Sequence, residues 1–260
     1  MTVLYTKIFG ERNTGATYLA KLIEKNFATC LLRGDFDLDR RVLRRVLQSV
    51  RPRERAGLNT KLQDENHQRI LYSDFGWTHA APPADIVRSA PHSSNTVFVV
   101  ITKHPVFFLS SLHARPENAL AKTDGQTFEQ FLMAPWPLFV RDNLQAESVE
   151  SPIELWNEKM RASLALKDAA ERVVYIRYED LLIDFHQALT ALAEFIPPTT
   201  DTFGHIRRAT RGKEDLRYED FQRRYRFARI KQDYRKRDLE YIYRKADSDV
   251  MRDLGYREII

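Results

Sequence analysis

"IFGERNTGATYLAKLIEKNF" occupies residues 8–27 and joins an apolar run to a helical pattern through two glycines. Gly10, four residues, Gly15, then Ala16 and Thr17 is the spacing of a phosphate-binding loop, except that alanine stands where a nucleotide kinase carries lysine. Residues 2–9 alternate with β-rich residues, and Leu19, Leu22, Ile23 and Phe27 follow at helical spacing, so the stretch predicts strand, glycine loop, helix. In such a loop successive backbone N–H groups point into one concavity and the helix dipole adds partial positive charge, which together hold a phosphate or sulfate group. Ala16 cannot reach a γ-phosphate; Thr17 keeps a hydroxyl, and Arg12 brings charge to the other side of the loop. The glycines alone also suit a plain tight turn, but their place directly after the first strand favours an anion site.

Outward from the loop, "RILYSDF" (69–75), "NTVFVVIT" (95–102) and "RVVYIRY" (172–178) read as further strands, the second apolar enough to be buried on both faces. Helical segments are expected around 105–114, 126–133 and 151–170. An arginine-rich amphipathic stretch, "DLDRRVLRRVLQSV", sets Leu38, Val42, Val46 and Val50 four apart on one face before Pro52 closes it. Strands alternating with helices over the first 195 residues imply a parallel sheet, hence an α/β, P-loop NTPase-like three-layer fold. The part from Pro197-Pro198 onward is polar, basic and helix-like; it is expected to be an elaboration (about 197–260) of a single 1–260 domain.

The 260 residues carry a net charge of +5, and segment 201–245 alone holds 15 Lys/Arg against 8 Asp/Glu, a local +7. That excess suits a polyanionic ligand as well as a solvated helical face. No apolar run approaches the ~20 residues of a membrane span. The one cysteine, Cys30, fits a reducing compartment, and with a strand expected almost from Met1 the sequence predicts a cytoplasmic protein.

A second anchor follows the buried strand, where "VFVVITKHPVFFLSSLH" presents Lys103 at the strand end and Ser111 eight residues later, on the helix that Pro105 starts. A cation at the carboxyl end of a parallel strand is where an α/β sheet places ligand groups. The loop, "KHPVFFLSS" and "VVYIRYEDLL", in that order, resemble the sulfotransferases that use 3′-phosphoadenosine 5′-phosphosulfate, PAPS. "DFGWTHAAP", "SPIELWNEKM" and "VMRDLGY" are similar to segments of a bacterial branch of that family. The likeness covers residues 1 to about 195 and thins beyond. Three positions depart from the family pattern: Asn13 where a lysine or arginine is usual, Lys103 for an arginine, and Thr78 for the lysine of a Lys-His pair.

The resemblance implies transfer of a sulfuryl group from PAPS to a hydroxyl acceptor, a small molecule or glycan, with no metal. It implies that Arg12, Asn13, Thr14, Gly15, Ala16 and Thr17 hold the 5′-phosphosulfate, that Tyr18 either stacks on adenine or is helix surface, and that Lys103 and Ser111 hold the 3′-phosphate. Tyr178 maps to the adenine contact, and Arg211 and Lys213 to a basic loop closing over the 3′-phosphate. PAPS has no γ-phosphate, which accords with a loop lacking lysine. His79 is the expected catalytic base with Arg12 neutralising the leaving phosphate; Glu11 and Asp74 are rival bases. Two alternatives are a magnesium-dependent phosphotransferase built on Asp74 and a nucleic-acid-binding protein using the basic 201–245 segment, which lacks a recognisable reader motif.

Overall fold

Three of the predicted strands pair in parallel, and a short fourth strand extends their edge. The computed structural model describes residues 3–34, 40–116, 118, 120–121, 123, 125–207 and 217–260. Strand β1 (Tyr5–Phe9) leads through the glycine loop into α1 (Ala16–Asn26), and the chain returns to the sheet edge as β2 (Cys30–Leu32). Helices α2 (Arg40–Gln48), α3 (Arg55–Asp74) and α4 (Ala84–Ser89) precede the central β3 (Thr96–Thr102). After it come α5 (Pro105–Ala114), α6 (Phe128–Met133), a two-stranded hairpin of β4 (Trp136–Pro137) and β5 (Ser148–Val149), and α7 (Pro152–Leu164). Strand β6 (Val173–Arg177) closes the sheet in the order β2-β1-β3-β6, all parallel. Helices α8 (Tyr178–Ile183), α9 (Phe185–Ala193), α10 (Tyr218–Arg224), α11 (Ile230–Asp233), α12 (Lys236–Lys245) and α13 (Ser248–Asp253) complete the described chain.

The alternation of β3 divides the core. Val97, Val99 and Ile101 join Ile8 and Val174 in a large cluster with α1, α5, α7, α8 and the C-terminal helices, while Phe98 and Val100 join Phe9, Phe75 and Val87 in a smaller one on the other face. All seven β3 residues are buried, as a strand covered on both faces must be. The molecule is therefore α/β, with helices on both sides of a parallel sheet.

The segment 69–75 corrects the sequence reading: it is the last turn of α3, not a strand. Tyr72 stays 69% exposed, and the helix stops where Phe75 and Gly76 both turn left-handed, with the Phe75 and Gly76 N–H groups returning to the Ile70 carbonyl. A Cβ on Gly76 would lie 2.5 Å from the His67 ring, so glycine is required there twice over. Asp74 thus ends a helix, and the strand-end position that a metal-binding aspartate would need is not where it sits. On α2, Val42 and Val46 remain 47% and 37% exposed, while Leu43, Leu47 and Val50 are the half-buried residues. The expected face is rotated from the one that packs.

The C-terminal end docks on the carboxyl ends of β3 and β6. Tyr256 shares a 2.8 Å hydrogen bond with Thr102 and donates to Glu179 at 3.3 Å, Arg177 donates to the Gly255 carbonyl, and His104 Nε2 donates to the Arg257 carbonyl at 3.2 Å. Burial pushes His104 down to about 4 despite the Arg257 carbonyl, and pushes Glu179 up to about 7 despite backbone donors and Lys103. His67 is likewise driven to about 4 by burial and by Lys7.

These shifts oppose one another. Below the ordinary histidine value of 6.5 the unfolded chain takes up protons that folded His67 and His104 refuse, so acid destabilises the fold. Glu179 acts in the other sense: its contribution is complete below the ordinary 4.5 and is lost as pH rises through about 7. Glu179→Gln is expected to steepen the fall in stability between pH 6.5 and 4.5 by about one proton, roughly 1.4 kcal/mol per pH unit. Urea melts across that range check this; parallel profiles for the two proteins would refute it.

Candidate active site

The loop is shaped by two left-handed residues, Asn13 (φ 64°) and Gly15 (φ 93°). A Cβ on Gly15 would lie 2.4 Å from the Tyr178 ring and one on Gly10 equally close to Ile101, so both glycines answer to close approach by neighbouring chain. Inside the loop the Thr14 N–H and hydroxyl both turn back to the Glu11 carbonyl, at 3.1 and 2.6 Å. The Arg12 N–H donates to its neighbour's carboxylate at 2.7 Å, and the Gly10 N–H to the Thr78 carbonyl at 3.0 Å. The N–H groups of Asn13, Gly15, Ala16 and Thr17 meet no acceptor among the described residues, and α1 has neither a side-chain cap nor an acid in its first turn. Such a nest of donors at a helix start has the geometry that can hold an anion.

On one side of the cradle stands Lys103. It leaves β3 with its carbonyl fixed by Trp156 Nε1 at 3.0 Å, and its ammonium donates to the Asn13 carbonyl. The nitrogen lies 4.3 Å from the centres of both the Tyr178 and Tyr225 rings and is 2% exposed. Ser111 donates to the Phe107 carbonyl one turn back at 2.7 Å and meets the Tyr225 hydroxyl at 3.1 Å. Loop, Lys103, Ser111 and Tyr178 thus come together at the carboxyl ends of β1, β3 and β6. Beyond Tyr18, whose hydroxyl is 3.2 Å from His205 Nε2, an open cleft of about 580 Å³ is lined by Phe185, His186, Phe203, His205 and Tyr218.

On the other side stands His79. Its Nδ1 lies 2.5 Å from the Gly10 carbonyl. A carbonyl only accepts, so Nδ1 carries the proton and Nε2 keeps its lone pair. Burial lowers the imidazole pKa, and Arg12 and Lys159 add to the effect while Glu11 opposes it, so the neutral ring persists below the ordinary range. His79 and Thr78 share with Ala16, Thr17 and Arg33 a pocket of about 90 Å³, room for about three waters.

Arg12 departs from expectation. Its guanidinium is 2% exposed, paired with Glu11 at 2.8 Å and Asp142 at 3.2 Å, and stacked between Trp77 and Phe139. Lys159 completes the group, reaching Asp142 Oδ1 at 3.0 Å, Glu11 Oε2 at 3.3 Å and the His79 carbonyl at 2.6 Å. Burial alone would raise Asp142, but Lys159 and Arg12 overcome it and hold the acid at about 2. Two cations and two carboxylates neutralise one another beneath the loop, so Arg12 braces it rather than facing its mouth, and Glu11 is similarly engaged. Arg12→Met is expected to cost about 3 kcal/mol of folding stability, because a carboxylate is left buried without its partner. Chemical denaturation measures this, and a change under about 1 kcal/mol would contradict it.

Arg211 and Lys213 lie outside the described residues. Within 217–245 much of the basic charge is locally paired, Arg223 with Asp220, Arg229 with Asp233, Arg235 with Asp238 and Arg237 with Glu129. Sequence reasoning missed Asp142 and Tyr225 altogether, and marked Lys159 only as part of the "SPIELWNEKM" segment.

No protein-family model and no curated protein matches the chain. Among solved structures it is similar to the sulfotransferase domain from the curacin biosynthetic pathway, at 13% identity and a TM-score of 0.44, over 100% of this chain and 99% of that one. It is also similar to retinol dehydratase in complex with androsterone and the inactive cofactor PAP, at 12% identity and a TM-score of 0.39, over 98% of this chain and 80% of that one. Among the described residues no helix is long and apolar enough to cross a membrane.

Proposed function

We propose that the chain is a PAPS-dependent sulfotransferase acting on a hydroxyl acceptor. The observation that carries this reading is the four-donor cradle with a buried ammonium on one flank and an imidazole presenting a free lone pair on the other. The cradle would hold the 5′-phosphosulfate, Lys103 and Ser111 the ribose phosphate, and Tyr178 with the cleft beside Tyr18 the adenine. The hydroxyl of the acceptor, small molecule or sugar, would reach into the pocket between Thr17 and His79.

The acceptor oxygen attacks sulfur as the bond from sulfur to the bridging phosphate oxygen breaks in line, and the acceptor proton passes to His79 Nε2. Charge growing on the departing phosphate is met by the N–H groups of Asn13, Gly15, Ala16 and Thr17. Adenosine 3′,5′-bisphosphate leaves. Incubation with sulfur-labelled PAPS in chelator, with a panel of alcohols, phenols and sugars, tests the reading. Label is expected in an organic sulfate with equimolar release of the bisphosphate; label that stays in PAPS with every acceptor class would overturn it.

A further inference from the structure

Lys103 is a buried ammonium with no carboxylate at ion-pair distance among the described residues. The groups facing it are the Asn13 carbonyl, the Tyr178 and Tyr225 rings and, by charge alone, Glu179 and Arg224. A cation so placed calls for an anion. The position is filled by Tyr225. Its ring faces the Lys103 nitrogen, 4.3 Å from the ring centre, and the Ser111 proton is already spent on the Phe107 carbonyl, so the tyrosine proton points to Ser111 Oγ, 3.1 Å away. Burial would raise the Tyr225 pKa, yet the charge of Lys103 leads the effects that bring it below the ordinary tyrosine value.

We propose that the Tyr225 hydroxyl holds the place of a phosphate monoester in the ligand-free site, and that ligand binding requires it to withdraw from Lys103 and Ser111. This rests on the donor reading above only for the identity of the phosphate. The tyrosine is mounted for such a movement. It caps α10, a helix of seven residues none of which is fully buried, and its ring meets Tyr178 and Phe107 edge-on at 5.2 and 5.4 Å. Withdrawal gives up these ring contacts and the Ser111 hydrogen bond, since Tyr225 is itself buried in the main core cluster. An anion that takes Lys103 directly gains a charged partner where the resting site has a neutral one. A nucleotide without a ribose phosphate gains nothing there, so Tyr225 also discriminates between donors.

Calorimetric titration of native protein, Tyr225→Phe and the Tyr225→Phe/Lys103→Met pair, with inorganic phosphate and with adenosine 3′,5′-bisphosphate, tests the proposal. Phenylalanine keeps the ring and removes the competing oxygen, so both ligands are expected to bind about tenfold more tightly, the equivalent of one charge-assisted hydrogen bond. The gain should vanish in the double variant. Equal or weaker bisphosphate binding to Tyr225→Phe would overturn the proposal and leave the donor reading standing. Tighter phosphate binding with no bisphosphate binding would support the displaced hydroxyl and remove the donor reading. Failure of both ligands on every protein would overturn both.

Discussion

Lys103→Met is expected to weaken binding of adenosine 3′,5′-bisphosphate about 10³-fold while leaving the fold as stable as before, or more so. The two effects separate because no carboxylate lies at ion-pair distance from the ammonium among the described residues, so none is left stranded. Methionine occupies a similar volume, packs against Tyr178 and Tyr225, and removes the desolvation cost of a cation that is 2% exposed. A ligand phosphate in the same place loses its only buried positive charge among the described groups, a loss of roughly 4 kcal/mol within the range for truncating a buried charged contact. Arg12→Met should behave differently, since that cation has two carboxylate partners and its removal should appear in stability first. Titration and urea melts on the same preparations decide it. An unchanged dissociation constant, or a loss of stability near 3 kcal/mol, would show Lys103 to be a structural lysine.

His79→Asn is expected to lower kcat by about 10³-fold, within the span for a general base, with bisphosphate affinity altered less than about twofold. The asparagine amide nitrogen can take over the Nδ1 donation to the Gly10 carbonyl, so the variant removes Nε2 and little else. The pH profile adds a second readout. The imidazole must be neutral to accept a proton, and burial holds its pKa below the ordinary 6.5, so native kcat should rise with pH on the acid side and already be level at neutrality. The asparagine variant should lose that rising limb. Retention of more than about a tenth of native kcat would remove His79 from the proton transfer.

Local signals were enough for much of the architecture. The continuous apolar run of β3, the alternation before Gly10 and the i, i+3, i+4 spacing of Leu19, Leu22 and Ile23 each declare an element over a few residues, and each is found. The end of α3 was hidden because Ile70, Leu71 and Tyr72 are strand formers in isolation, and the helix is fixed by what it packs on and by the left-handed stop at Phe75 and Gly76. Cys30–Leu32 is three residues of half-exposed edge, too short to carry a period.

The site divides in the same way. Loop glycines and the Lys103 to Ser111 spacing are local, so they were legible. The partner that neutralises Arg12 lies 130 residues away, and the hydroxyl that meets Ser111 lies 114 residues away, so only the folded chain brings them together. That long-range pairing is why Arg12 looked like a free charge at the loop when it is a buried brace.

On the proposed reading, cradle and ammonium grip one doubly phosphorylated nucleotide without a metal. Calorimetric titration of the native chain in chelator tests it most directly. Adenosine 3′,5′-bisphosphate is expected to bind one to one with a dissociation constant near ~10⁻⁶ M, at least about tenfold tighter than AMP, the ribose phosphate supplying the difference. No heat with the bisphosphate, together with ATP binding that appears only on adding magnesium, would contradict it.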